Sequence, residues 1–264
     1  MASDATAELE LITAAAREAA AIAMGFFRRD PKVWWKEGNS PVSEADFAAD
    51  NILRETLLGA RPGYGWLSEE TPVEAAAHTT ERFFVIDPID GTRAFLRGEE
   101  TWCVSVAVIE NGRPIAGVID APALGEVFVA TAGGPALLNG VPLSVSAADD
   151  MRPLHVALPD TVHRKLGRKA TASLSLAPSV PSLAYRLVMV ADGRLDGTVI
   201  RPRANDWDIA AGDLILERAG GSLCDLQHQP RHYRLEGKEH GYLFAAADHA
   251  VPAIRALALD AEAR

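Results

Sequence analysis

Cysteine is scarce: the 264 residues contain two, Cys103 and Cys224, with no Cys-x-x-Cys spacing. That rules out a disulfide framework and a cysteine-built zinc site. Basic charge is in deficit as well. Twenty-six Lys and Arg stand against 36 Asp and Glu, for a formal net charge of −10 and a pI near 5.2. This balance argues against a broad surface for a nucleic-acid polymer and against docking on anionic membranes. No apolar run reaches membrane-spanning length. The acidic, Ala-rich N-terminal stretch lacks the basic start and apolar centre of a secretory signal, so a reduced cytoplasm is the expected setting. There is no internal repeat and no low-complexity segment.

What is present is apolar enough, at 48% of residues, for a sizeable core in one or two domains. The most informative stretch is Arg82-Phe83-Phe84-Val85-Ile86-Asp87-Pro88-Ile89-Asp90-Gly91-Thr92. An apolar run that reads as a buried strand ends in two carboxylates three positions apart and a Gly-Thr step. Hard divalent cations such as Mg²⁺ prefer oxygen ligands, and Pro88 fixes the backbone between the two acids. Gly91 and Thr92 offer N–H groups that can approach a phosphate oxygen, since glycine has no Cβ in the way. An ordinary turn would use the same residue types. A calcium loop of the EF-hand type needs an oxygen side chain where Ile89 stands. An Asp-nucleophile phosphatase of the haloacid dehalogenase type resembles D-x-D-G-T, with its acids two apart rather than three. The spacing here weakens that match without removing it.

Punctuation and periodicity give the organisation. A helix is expected over residues 5–27, with Leu9, Ile12, Ala16 and Ala20 on one face, and another over 44–58, with Phe47, Ile52, Leu53 and Leu57 apolar. Strands are expected at 83–86, 102–109, 115–119 and 126–130, with tight hairpins at Asn111-Gly112 and Asn139-Gly140. Apolar periodicity lapses near 146–152, where a boundary between halves is expected. Beyond it, strands at 155–158 and 198–200 mix with helices at 182–191 and 209–219. The mixture suggests helices layered on mostly antiparallel sheets, an α+β fold.

Three further segments place acids at element ends: Ser40-Pro41-Val42-Ser43-Glu44-Ala45-Asp46, Trp66-Leu67-Ser68-Glu69-Glu70-Thr71-Pro72 and Asn205-Asp206-Trp207-Asp208-Ile209-Ala210-Ala211-Gly212. Each acid has a bland reading. Asp46, three after Ser43, completes a helix capping box. Asp208 fits the cap of a helix starting near Ile209. Glu69 and Glu70 suit a solvated loop. Taken together and in order, the four segments resemble the inositol monophosphatase family of Mg²⁺-dependent, typically lithium-sensitive phosphatases, from about Lys36 to Gly221.

The resemblance implies a five-layer αβαβα sandwich, with halves at 1–148 and 149–264 and the site between them. It implies two Mg²⁺ ions, or three. Glu69, Asp87 and the Ile89 carbonyl would hold the first, and Asp87, Asp90 and Asp208 the second. Asp46 and Thr92 would orient the attacking water, with Glu69 also serving the reaction, and Glu70 would stand behind Glu69 or help hold a third ion. Asp90, Gly91, Thr92, Ser182, Arg201 and Asp208 would meet the substrate. The implied reaction is direct in-line attack of water on a small phosphorylated metabolite, an inositol monophosphate or similar ester, with no covalent enzyme intermediate. A homodimer is implied by the resemblance alone.

Departures from the inositol-specific pattern concern the alcohol. Seven residues before Asp208, where inositol enzymes commonly carry a carboxylate, stands Arg201, within Arg201-Pro202-Arg203. Pro181-Ser182-Leu183 departs from their Gly-Ser/Thr-Ala-like helix start. Arg201 and Arg186 suit a second phosphate, so a 3′(2′),5′-bisphosphate nucleotidase is the alternative, although arginines also make plain ion pairs. A binding or regulatory protein on the same fold would be expected to lack ligands; Glu69, Asp87, Asp90, Thr92 and Asp208 are all here.

Overall fold

The computed structural model describes residues 2–36, 40–71, 80–149 and 151–264. Pro72, which ends the Trp66 segment, lies outside them. Along the chain come α1 (Ala2–Phe26), β1 (Val33–Lys36), β2 (Ser40–Ser43), α2 (Glu44–Ala60), β3 (Gly65–Ser68), β4 (Arg82–Asp90), α3 (Thr92–Leu96), β5 (Cys103–Glu110), β6 (Arg113–Ala121), β7 (Glu126–Thr131), β8 (Leu137–Leu138) and β9 (Val141–Pro142). Then follow β10 (His155–Ala157), α4 (Asp160–Thr171), β11 (Ser175–Leu176), α5 (Leu183–Ala191), β12 (Gly197–Ile200), β13 (Ala204–Asn205), α6 (Asp206–Arg218), β14 (Gly221–Asp225), β15 (Glu239–His240), β16 (Leu243–Ala247) and α7 (Val251–Ala263).

Among the described residues, β3 to β9 form one sheet in sequence order, antiparallel except for the parallel β3–β4 pair. A second sheet runs β11-β10-β12-β16-β14 and mixes parallel with antiparallel pairs. Both expected hairpins are present. Asn111 and Gly112 have φ of 51° and 78°, and Asn139 and Gly140 have 50° and 82°, the left-handed pair that a two-residue turn between twisted strands requires.

Side-chain alternation builds the layers. Phe84, Ile86, Val104, Val106, Val108 and Val118 face Ile12, Ala16, Leu53 and Leu57 of α1 and α2. Their strand neighbours Phe83, Val85, Cys103, Ala107 and Ile119 point the other way, onto α5 and α6. The second sheet repeats the pattern. Leu243 and Ala245 pack on α5 and α6, while Phe244 and Ala246 pack on Val162, Leu166, Ile254 and Ala258 of α4 and α7. A period of two therefore gives each sheet two buried faces, and the order is α1/α2, sheet, α5/α6, sheet, α4/α7. The small residues Ala15, Ala16, Ala19 and Ala20 let α1 lie close on its sheet. Gly117 does the same for α6, since a Cβ there would lie 3.2 Å from the Ala211 backbone.

Several expectations shift in detail. Phe47 is 40% exposed and meets Trp34 edge-on rather than joining the core. The helix expected from 209 begins at Asp206. Helix α4 (DTVHRKLGRKAT) is largely charged and buries Val162, Leu166 and Thr171, so its apolar signal is slight. No described helix is long and apolar enough to cross a membrane.

Candidate active site

The site starts with a register shift. Asp87 sits opposite Ser105 and Asp90 opposite Cys103, so β4 advances three residues where β5 advances two. In a regular strand, residues three apart point to opposite faces. The one-residue bulge, at a Pro88 that has no N–H to give the ladder, brings both carboxylates to one side. The Ile89 N–H donates to Asp87 Oδ1 at 3.0 Å, which fixes the first acid. Gly91 then turns the chain at φ 94°, where a Cβ would meet Ser182 Cβ at 3.1 Å and the Thr101 carbonyl at 3.2 Å. Thr92 begins α3, with its Oγ1 3.0 Å from Asp46 Oδ1 and 3.1 Å from the Ile89 carbonyl.

The α2 and α6 starts are built alike. At α2 the Ser43 N–H and hydroxyl both donate to Asp46 Oδ2, at 2.8 and 2.6 Å, leaving Oδ1 for Thr92. At α6 the Asn205 N–H donates to Asp208 Oδ2 at 2.6 Å. Capping and site roles thus coexist on two oxygens of one carboxylate. Asp208 stands in the third helical position behind the Asn205 cap rather than at the cap itself.

Asp87, Asp90 and Asp208 converge, each offering an oxygen within 4.8 Å of the others. Asp90 Oδ2 accepts from the Ser182 hydroxyl and, at 2.6 Å, from the Ala184 N–H. Ser182 in turn caps α5 by accepting the Tyr185 N–H. Burial pushes the Asp90 carboxyl up to about 6 against these donors. Burial, reinforced by neighbouring acids, pushes Asp87 and Asp208 well above the usual range. Burial likewise lifts Asp46 to about 6. Three acids so close, two of them buried and Asp208 half-buried, repel one another, and a hard divalent cation is what an all-oxygen anionic donor set fits.

Glu69 and Glu70 stand beside this group. Lys36 Nζ lies 3.1 Å from Glu69 Oε1 and 2.7 Å from Glu70 Oε1. Burial and then Glu69 raise Glu70 to about 7. The tight carboxylate trio therefore excludes Glu69, although its charge is felt by Asp87, Asp90, Asp208 and Asp46. Three supporting groups escaped sequence reasoning. Asp50 accepts from the hydroxyls of Ser68 and Thr71, pinning both ends of the Glu69-Glu70 turn; it lies four residues after Asp46 on the same helix face, a signal that could have found it. Asp206 and His240, both buried, meet at 2.7 Å and tie the start of α6 to β15. Arg93 and Arg97 follow Thr92 on the rim of a cavity that also reaches Arg186 and Arg201.

The family model for the inositol monophosphatase family matches residues 5–257. The chain belongs to that family. Among its relatives, an inositol-1-monophosphatase of Mesorhizobium japonicum is 36% identical over 70% of this chain and 72% of its own length. A 3′(2′),5′-bisphosphate nucleotidase CysQ of Aggregatibacter actinomycetemcomitans is 31% identical over 79% and 80%. Among solved structures, the extragenic suppressor protein suhB of Bartonella henselae superposes with a TM-score of 0.84 at 30% identity, covering 95% of this chain and 98% of that one. The five-layer sandwich is thus the inositol monophosphatase fold, and the convergent acids occupy the ends of its elements.

Proposed function

We propose that this inositol monophosphatase family member hydrolyses the phosphate monoester of a small metabolite, an inositol monophosphate or similar ester, with Mg²⁺ held by Asp87, Asp90, Asp208, the Ile89 carbonyl and Glu69. One observation carries the reading: three carboxylates from two separate elements, two of them buried and Asp208 half-buried, meet within 4.8 Å, beside a Thr92–Asp46 hydrogen bond. Mg²⁺ held there would supply positive charge for the phosphate oxygens, the acidified water and the leaving alkoxide.

The chain's own groups do the rest. Thr92 and Asp46 position the nucleophilic water. Asp46 Oδ1 accepts the hydrogen bond of the Thr92 hydroxyl, which leaves the Oγ1 lone pairs turned to accept a hydrogen bond from that water. The N–H groups of Gly91 and Thr92 face the phosphate. Ser182 acts through Asp90, fixing the orientation of its carboxylate. Lys36 neutralises Glu69 and Glu70 until metal arrives, and Glu70 stays behind as a compensating charge or helps hold a third ion. Arg201, on the rim of the cavity that Arg93 and Arg97 also line, would meet the alcohol of the ester. Inhibition by Li⁺, pairing into a homodimer and a cytoplasmic setting belong to the same reading.

The test is phosphate release from a panel of small phosphomonoesters, inositol 1-phosphate included, with Mg²⁺ and with EDTA. Release that appears with Mg²⁺, stops with EDTA and returns on Mg²⁺ re-addition is expected. A folded protein inert towards the whole panel would sink the reading and favour a non-catalytic binding protein.

A further inference from the structure

Helix α2 buries six side chains: Ala45, Asp46, Ala49, Asp50, Leu53 and Leu57. Four make an ordinary apolar face. The other two, Asp46 and Asp50, are acids one turn apart, exposed by 1% and 3%. A buried carboxylate is costly unless its oxygens are satisfied, and packing alone would be served by another Ala or Leu. Asp46 has its task at Thr92. Asp50 spends both oxygens on one short turn of another element. Its Oδ1 accepts the Ser68 hydroxyl at 2.5 Å, and its Oδ2 accepts the Thr71 hydroxyl.

Ser68 and Thr71 bracket Glu69 and Glu70. Ser68 Oγ, held by Asp50, accepts the Glu70 N–H at 3.3 Å. The Glu69 N–H donates to the carbonyl of Ile86, the residue before Asp87, at 3.2 Å. The backbone of the turn is therefore tied twice, to β4 on one side and to α2 on the other. The carboxylates it carries are tied differently. Lys36 holds both through ion pairs, which a rotation of the side chains can exchange for another cation while the backbone stays. A ligand held in place beforehand binds its ion without the cost of ordering it.

We infer that Asp50 is a positioning residue for the cation that Glu69, Asp87 and the Ile89 carbonyl would share. Through Ser68 and Thr71 it sets where Glu69 and Glu70 stand before the ion arrives. Asp46 and Asp50 sit on one rigid turn of α2, so the same helix fixes Glu69 relative to the Thr92–Asp46 pair that orients the water. The inference rests on the reading of Glu69 as a cation ligand.

The test compares wild type with Asp50→Ala, Asp50→Asn and Thr71→Val, by calorimetric titration of Mg²⁺ and by hydrogen exchange in EDTA. Asp50→Ala should raise the Mg²⁺ Kd by about tenfold to a hundredfold, the range for groups that hold a metal ligand in place. Asp50→Asn, whose side-chain oxygen can keep one hydroxyl, should raise it less. In EDTA the amides of Glu69 and Glu70 should exchange about tenfold faster in Asp50→Ala, since local opening of the turn becomes easier. The route is checked by repeating Asp50→Ala in a Glu69→Gln background, where its effect on Mg²⁺ affinity should shrink to less than about twofold. A Kd unchanged by Asp50→Ala, or amide exchange equal to wild type, would overturn the inference and leave the cation site standing. The same fold-change with and without Glu69 would mark a general loss of structure and would also overturn it. If Asp50→Ala does not fold, Thr71→Val decides, because it removes one anchoring hydroxyl at nearly constant shape and leaves α2 intact. A severalfold rise in Kd there supports the inference, and no change refutes it. A folded wild type that binds no Mg²⁺ would remove the cation reading and the inference together.

Discussion

Asp90→Asn isolates the carboxylate trio with the smallest change of shape. The amide oxygen can keep both hydrogen bonds that Asp90 Oδ2 accepts, from Ser182 and Ala184. What is lost is one of three like charges within 4.8 Å. Burial raises the Asp90 carboxyl from 3.8 to about 6. A shift of roughly two units corresponds to about 3 kcal/mol, and the repulsion between two such charges at an effective dielectric near 20 is of the same size. The sign follows from linkage: a carboxyl raised on folding destabilises the metal-free protein above its folded pKa. The penalty disappears as pH falls through 6 towards the unfolded value of 3.8. Without metal, Asp90→Asn should therefore be more stable than wild type at pH 7.5 by about 3 kcal/mol, or roughly 5–10 °C. The advantage should vanish near pH 4.

Metal closes most of the gap between the two proteins. Mg²⁺ at a hundred times its dissociation constant should stabilise wild type by about 2.7 kcal/mol, and the variant by a small fraction of that. Turnover should fall by about 10² to 10³, the loss expected when one electrostatic stabiliser is removed. Scanning calorimetry at both pH values, with and without Mg²⁺, and a phosphate-release assay read all of this. A variant that is less stable without metal, or that keeps the wild-type Mg²⁺ shift and turnover, would refute the assignment of Asp90 to a shared cation site.

The Mg²⁺ concentration for half-maximal activity should rise as pH falls through 6, by up to about tenfold per unit for each proton displaced, because the raised carboxyls of Asp90, Asp87 and Asp208 must ionise to bind. A half-saturation flat from pH 5 to 8 would contradict it. Lys36→Met should lower that concentration severalfold by freeing Glu69 and Glu70, and a Mg²⁺ titration of activity checks the direction. Asp120 is a buried carboxyl that desolvation raises to about 6, with Arg17 offsetting part of the effect. Asp120→Asn should stabilise the fold by about 3 kcal/mol at pH 7.5 and by almost nothing below about pH 3, where both states are protonated; an equal effect at both values would rule that out.

The site was legible where chemistry and local geometry share a short stretch of chain. Asp87-Pro88-Ile89-Asp90 can be read as a ligand pair because Pro88 interrupts the strand, although the bulge that aligns the acids depends on β5 and appears only in the register. Asp46 and Asp208 were legible as helix starts, but which carboxylate oxygen caps and which faces the site is set by Ser43, Thr92 and Asn205 across the fold. The layers were legible in the strict alternation of β4 and β5. Hairpin β1–β2 and helix α4 were not, since the first keeps Trp34 and Trp35 exposed and the second has a largely charged surface. Arg201 stood out as a departure at a single position, and Arg186 only as a further arginine suited to an anion. Their common cavity with Arg93 and Arg97 joins four segments far apart in sequence, which no local pattern reports.

Anomalous diffraction from crystals soaked in Mn²⁺, at a concentration that supports phosphate release, locates the cation directly. Peaks are expected within ligand distance, about 2.0–2.4 Å, of carboxylate oxygens of Asp87, Asp90 and Asp208, with two ions roughly 4 Å apart at saturation. An active crystal form with no manganese peak among those three carboxylates would contradict it.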